Sequence, residues 1–307
     1  MNFGRSSFLL SFNSRLNKKT DKSNLFISRY SSLHYGYNIL RSVLALSTLT
    51  ILLLNFEGIR DAYFNRNFPT SFIVDFDIYS LFSFSFSYFV SIVVLIITIL
   101  GYFPSIMGLL HFYVTASFST HFSIFCDGGD YLTALITFLF IPITLTDNRI
   151  NSWKPFKETR FYNSFQRISI YINYNILKFL ICIVYFHAAT AKFHITEWYN
   201  GTAIYYFLSE PLSGNTFFVE NYFFKALISN SFFIALITWG TLIIEVLIAF
   251  MLFSNNIKLK KIVFILGMVL HLLIIPTFNI PAFSFRMIAC LFFYLIVQPT
   301  EREKITS

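Results

Sequence analysis

The residues best equipped for chemistry in this chain lie inside stretches that are otherwise apolar. Residues 185–209, "YFHAATAKFHITEWYNGTAIYYFLS", carry His187, Lys192, His194 and Trp198, followed by Asn200, Gly201 and Thr202. A lysine at an apolar boundary can serve as a base, because desolvation disfavours its charged form. On a continuous helix His187 and His194 share a face, whereas Lys192 is rotated from His187 by about 140°. The alternative is structural: Lys192 snorkels to headgroups, the histidines bond neighbouring helices, and Trp198, Tyr199, Tyr205 and Tyr206 form an interfacial belt. A second polar stretch, "CDGGD", sets Asp127 and Asp130 around two glycines. These carboxylates can cap a following helix or accept a cationic group, whether of a substrate or of Lys192.

A third group, Lys178, Glu245 and His271, lies within long apolar runs. Counted from the cytoplasmic ends of their segments, all three reach a depth of about 12–14 Å. A charge in mid-membrane costs at least ~2.5 kcal/mol on insertion scales, so pairing of Glu245 with Lys178 or with His271 is expected. Such a group acts either as a polar clasp between helices or as a proton-handling site. No metal site is expected, because His271 has no partner at helical ligand spacing and Cys126, Cys182 and Cys290 form no CxxC pair. Familiar protease motifs are also missing: there is no HExxH, Asp127 stands where GxGD needs glycine, and Pro211 where GxSG needs it.

The elements that must position these residues are membrane helices. Of 307 residues 56% are hydrophobic and 12% charged, 41 are phenylalanine and the mean hydropathy is +0.63, more apolar surface than a soluble domain can hide. The net charge of +8 reads as topology, with no nucleic-acid partner, because the basic residues cluster between apolar runs. Eight segments approach the roughly 20 residues needed to cross a bilayer: about 37–56, 79–101, 104–125, 130–147, 169–191, 231–253, 262–279 and 282–298. The last two are hinged at "PTFNIPAF", where Pro276 and Pro281 are expected to turn the chain. With the N-terminus inside, 17 of the 23 basic residues fall on the inner side, which places both termini in the cytoplasm. The predicted architecture is therefore all-α: a polytopic integral membrane helical bundle of about eight spans. A basic cytoplasmic arm (1–36) precedes it, the transmembrane domain covers 37–298, and a cytoplasmic tail (299–307) follows. No signal-peptide pattern precedes the first span. In the largest outer loop, "NTFFVENYFFKALI" is expected to lie along the membrane surface as an amphipathic helix. This topology puts His121, Asp127, Asp130, His187, Lys192 and His194 near the outer face.

"KFHITEWYNGTAIYYFLS" resembles the signature of the horizontally transferred transmembrane (HTTM) family, which includes the membrane part of vitamin K-dependent gamma-carboxylase. The resemblance extends to "LLLNFEGIRDAY", "GLLHFY", "DGGDYLTALITFLFIPITLTDNRINSW" and "WGTLIIEVLIAFML", and so to most of the chain from residue 37 onward. Within that family the chain is similar to the bacterial SdpB type, whose members are needed to mature a secreted antimicrobial peptide of the sporulation-delaying kind. The resemblance implies a bacterial plasma-membrane location, a secreted peptide precursor and a co-encoded maturation protein as partners, and Lys192 as the catalytic base or substrate anchor. Asp127 and Asp130 would orient it or bind substrate, and Trp198 to Thr202 would shape the floor of a pocket. Gly129 stands where the carboxylase has a catalytic histidine, which argues against vitamin K-dependent carboxylation. A maturation factor for an exported antimicrobial peptide is the leading expectation; whether it is a peptide-modifying membrane enzyme stays open, and no cofactor is identified. A non-enzymatic scaffold or immunity protein is the alternative from another class, and a small-molecule or proton-coupled transporter using Lys178, Glu245 and His271 ranks third.

Overall fold

In the computed structural model, residues 33, 35–65, 76–154, 164–209 and 229–298 are described, and their regular structure is helical. The principal helices are α1 (Tyr35–Leu54), α2 (Phe56–Asn65), α3 (Ile78–Leu81), α4 (Phe84–Leu100), α5 (Pro104–His121) and α6 (Gly128–Leu145). They are followed by α7 (Ser164–Phe193), α8 (Thr196–Tyr199), α9 (Ala203–Ser209), α10 (Ser231–Phe250), α11 (Ile257–Phe278) and α12 (Pro281–Leu291), the last running on into a π-helical turn, Phe292–Ile296. Each of the eight apolar segments contains a helix. Five of them (α1, α6, α7, α10 and α11) are long and apolar enough to cross a membrane, and Phe84–Leu100 and Pro281–Ile296 are shorter apolar helices. Large apolar side chains such as Leu54, Phe89, Phe179 and Phe250 stand at least half exposed on the outside, an arrangement that hydrocarbon tolerates and water does not.

Local chemistry sets the helix ends. Gly101 closes α4 in the left-handed conformation (φ 77°), and Pro104 opens α5 at a position that needs no backbone N–H. Asp127 caps α6: its carboxylate accepts from the N–H of Gly129 and Asp130, while Asp130 accepts from the N–H of Asp127, a reciprocal capping box. The capping use of "CDGGD" is thus present. Asn230 and Asn256 cap α10 and α11. The expected hinge is shifted: Pro276 lies inside the last turn of α11, and the chain turns at Asn279 (φ 55°) and Ile280 before Pro281 starts α12. Asparagine tolerates that left-handed geometry, so the turn falls there. The basic arm, the aromatic stretch 215–228 and the tail 299–307 lie outside the described residues, apart from Leu33, Tyr35 and Gly36 at the start of the first helix.

Two apolar clusters divide the bundle. One gathers the first half of α1 with α6, α7 and α10–α12; the other gathers the second half of α1 with α2–α5. Between them α5 and α6 pack most closely, because Gly108 lies against Thr144 with no room for a side chain of its own. On the α7 side the helices are staggered. Lys192 is the penultimate residue of α7, yet it meets Glu245, which lies 14 residues, about 21 Å, into α10. The length of α10 that α7 leaves uncovered is taken by the returning segment: Tyr199 O accepts from Trp239 Nε1 (3.3 Å), and Ile204 N donates to Thr238 Oγ1 (3.3 Å).

Candidate functional site

The stagger creates a cavity of about 590 Å³ bounded by α7, α10, α11 and α12, with α8 and α9 across it and Gly128 at the start of α6 on its wall. Most of the lining is apolar, including Val184, Ile234, Leu270, Ile274, Phe283 and Met287. Its polar groups are few: Lys192, Glu245, His271, Tyr185, Thr241 and Thr277. Pockets with an apolar body and a few placed polar groups are typical of binding sites for apolar ligands with a polar head.

Lys192 Nζ lies 2.7 and 2.9 Å from the two carboxylate oxygens of Glu245, and 3.4 Å from Ala188 O. The Trp198 ring sits 5.4 Å from the same ammonium. Helical side chains tilt toward their own N-terminus, so a lysine in the last turn of α7 folds back along the helix and does not extend past its end. Snorkelling toward the chain-reversal side, one expected role for Lys192, is therefore not what is seen. The counterion of Glu245 also differs from both expected pairings. Lys178 is nearly four turns from Lys192 along α7, with its ammonium 5.1 Å over the Tyr174 ring. His271 shares a 2.7 Å hydrogen bond through Nε2 with Tyr185 OH, and its Nδ1 has no partner although the residue is 4% exposed. The three groups expected at one depth thus separate. Glu245 and His271 line the cavity and Lys192 joins them, while Lys178 does not.

The remaining candidates fall into three places. Trp198 is buried against the cavity, and Asn200, Gly201 and Thr202 form the turn behind it. Gly201 adopts φ 75° there, with the Trp239 indole against its Cα, so a side chain would be strained as well as crowded. His187 and His194 are exposed and do not line the cavity. Asp127 and Asp130 bind Arg286, not Lys192. Arg286 is fully buried, with Nη2 2.5 Å from Asp130 Oδ1 and 3.4 Å from Thr48 Oγ1, and Nη1 3.5 Å from Asp127 Oδ1. Burial and the Asp130 charge hold the Asp127 carboxyl above the usual carboxylate range, against the opposing pull of Arg286 and two backbone N–H groups.

Arg286 is the functional residue that sequence reasoning did not single out: it is an internal residue of α12, and an arginine within "PAFSFRMIAC" was the available signal. It also explains Gly129. A Cβ there would lie 2.8 Å from Asp127 Oδ1, 3.1 Å from Phe283 and 3.2 Å from Arg286 Cδ, so a histidine has no space in this packing. Among the described residues no group of three or more His, Cys, Asp or Glu could hold a metal ion.

Apolar membrane-length helices around an apolar cavity with one ion pair on its wall define a helical membrane protein with a candidate site for an apolar ligand. Sequence comparison makes the assignment narrower. The chain is 34% identical over 277 residues to "Sporulation-delaying protein SdpB" of Bacillus subtilis (strain 168), covering 88% of this chain and 84% of that protein. It is 32% identical over 271 residues to "Uncharacterized protein YitO" of the same strain, covering 84% of each. The chain belongs to the SdpB family. No protein-family model and no solved structure matches it.

Proposed function

We propose that this protein acts in the maturation of an exported antimicrobial peptide of the sporulation-delaying type, and that the 590 Å³ cavity receives an apolar segment of the precursor. The single observation that carries this reading is the likeness to a sporulation-delaying protein over nearly the whole chain. The cavity agrees with it in chemistry, since an apolar peptide segment can fill the lining while a backbone carbonyl or amide reaches Lys192, Glu245 or His271. Lys192 is the residue placed to hold or deprotonate substrate, and Glu245 orients it and balances its charge.

In this reading the protein crosses a bacterial plasma membrane eight times within an HTTM-like fold, with both termini cytoplasmic and the cavity opening toward the outer half. The clustering of basic residues on alternate connections supports that orientation. The precursor peptide and a co-encoded maturation protein are the proposed partners.

The test is mass spectrometry of the secreted peptide from cells making the precursor with native protein, Lys192→Met or Glu245→Gln, at membrane levels matched by immunoblot. Loss of mature peptide in both variants is expected. Unchanged peptide in both would overturn the site and favour a scaffolding or immunity role.

A further inference from the structure

Two lysines away from the cavity sit within the bundle with no counter-charge among the described residues. Lys260, in the first turn of α11, is 3% exposed, and lysine is almost never buried so deeply unless an anion pairs with it. Lys178 of α7 is half-buried, with its ammonium over the Tyr174 ring. Neither ammonium meets a carboxylate or a hydrogen-bond acceptor among the described residues, and the charge that acts on Lys178 is the like charge of Lys260.

The fold brings the two together. Along α7 from Cys182 to Lys192 the partners on α10 run backwards, from Ala249 to Glu245, so these helices are antiparallel. A short connection then reverses the chain, and Ile248 packs at Gly267 of α11. Helices α7 and α11 are therefore parallel, and the hydrogen bond between Tyr185 and His271 sets their register. From that bond Lys178 lies about two turns and Lys260 about three turns toward the N-termini, an offset of roughly 6 Å along the bundle. Helical side chains tilt toward their own N-terminus, so both ammonium groups reach for the same end of the bundle. The first turn of α11 strengthens the positive field there: Lys258 and Lys261 are exposed, no acidic residue accompanies them, and the helix dipole has its positive end at the same place.

Around these charges the surface is apolar. Ile172, Ile176 and Phe179 on α7, with Ile257 and Ile262 on α11, are each at least two-fifths exposed. A ligand that carries an anionic head on hydrocarbon chains satisfies both features, whereas a free anion satisfies only the first. We propose that Lys178 and Lys260 form a site for the phosphate of an anionic membrane lipid, whose acyl chains lie along the exposed apolar side chains of α7 and α11. Inorganic phosphate offers the same head chemistry without the chains. Neither lysine lines the 590 Å³ cavity, so the readout of this site is lipid binding and not peptide maturation.

The test is native mass spectrometry of the full chain in a neutral detergent, titrated with phosphatidylglycerol or with phosphatidylcholine of the same acyl chains. The native chain should hold one phosphatidylglycerol roughly thirtyfold more tightly than phosphatidylcholine, since each lysine contributes about fivefold. Lys178→Met and Lys260→Met should each lose about fivefold of that preference, and the double variant all of it. Lys258→Met/Lys261→Met removes two exposed, salt-screened lysines of the same turn and should lose no more than about twofold. Equal losses in the two double variants would reduce the attraction to diffuse surface charge and overturn the site. Equal binding of the two lipids by the native chain also overturns it. Displacement of phosphatidylglycerol by millimolar inorganic phosphate would make free phosphate the ligand and overturn the lipid assignment. Should Lys178→Met/Lys260→Met fail to accumulate, reductive methylation of the native protein in lipid nanodiscs is the second readout. Lys178 should be modified more slowly in phosphatidylglycerol than in phosphatidylcholine, and equal rates refute the site.

Discussion

Lys192 and Glu245 form the most informative pair to perturb, because one experiment separates structural from chemical use. Their side chains are 24% and 9% exposed, so the contact is screened only in part. Lys192→Met leaves the Glu245 carboxylate on the wall of a largely apolar cavity without its cation. Its cost is bounded, since protonating an ordinary carboxyl at pH 7 takes about 4 kcal/mol, and partial solvation of the cavity lowers it to roughly 2–3 kcal/mol. Glu245→Gln leaves Lys192 with the Ala188 carbonyl and the Trp198 ring, and a quarter of its side chain already exposed, so roughly 1–2 kcal/mol is expected. The double variant Lys192→Met/Glu245→Gln removes both charges and should cost no more than Glu245→Gln alone. The coupling is then about 2–3 kcal/mol, measurable by a double-mutant cycle of unfolding in bicelles followed by tryptophan fluorescence. Peptide maturation is read on the same four proteins. The double variant should fold and yet produce no mature peptide. Additive single effects would refute the ion pair, and normal maturation by the double variant would reduce it to a clasp.

Other expectations are more compact. Arg286→Met strands two carboxylates and should cost about 3–5 kcal/mol near neutral pH. The folded-state pKa of Asp127 is already raised, and removing Arg286 raises it further, so this variant should regain stability relative to native as the pH falls from 7 toward 5; unfolding at both pH values checks the sign. Gly129→Ala should lose about 1–3 kcal/mol through crowding against Asp127 and Phe283, read as a lower Tm. Lys178→Ala, which touches neither Glu245 nor the cavity, should leave peptide maturation at the native level, and a large loss would point to a second site on α7.

The legible part of this protein was its set of apolar helices and the oddly polar end of the fifth segment. Composition and run length do that work, since any 20-residue apolar run in a lipid solvent must satisfy its backbone internally as helix. Trp198 and Lys192 stood out for the same reason, as polar or amphipathic groups where a helix should simply have ended. The expected partners failed on a geometric assumption. Counting depth from helix ends supposes that neighbouring helices begin and stop at common planes, and α7 and α10 do not: Lys192 ends one while Glu245 lies 14 residues into the other. Arg286 was not singled out, because its partners Asp127, Asp130 and Thr48 come from distant parts of the chain that only the packing brings together.

Sequence by itself determined that this chain is helical and apolar, where most helices begin and end, and, through its relatives, which family it joins. Tertiary structure alone decided which charges meet. An ion pair depends on axial stagger and on the direction in which a side chain folds along its helix, and neither is encoded in local composition. That is why Glu245 acquires Lys192 and the aspartates acquire Arg286.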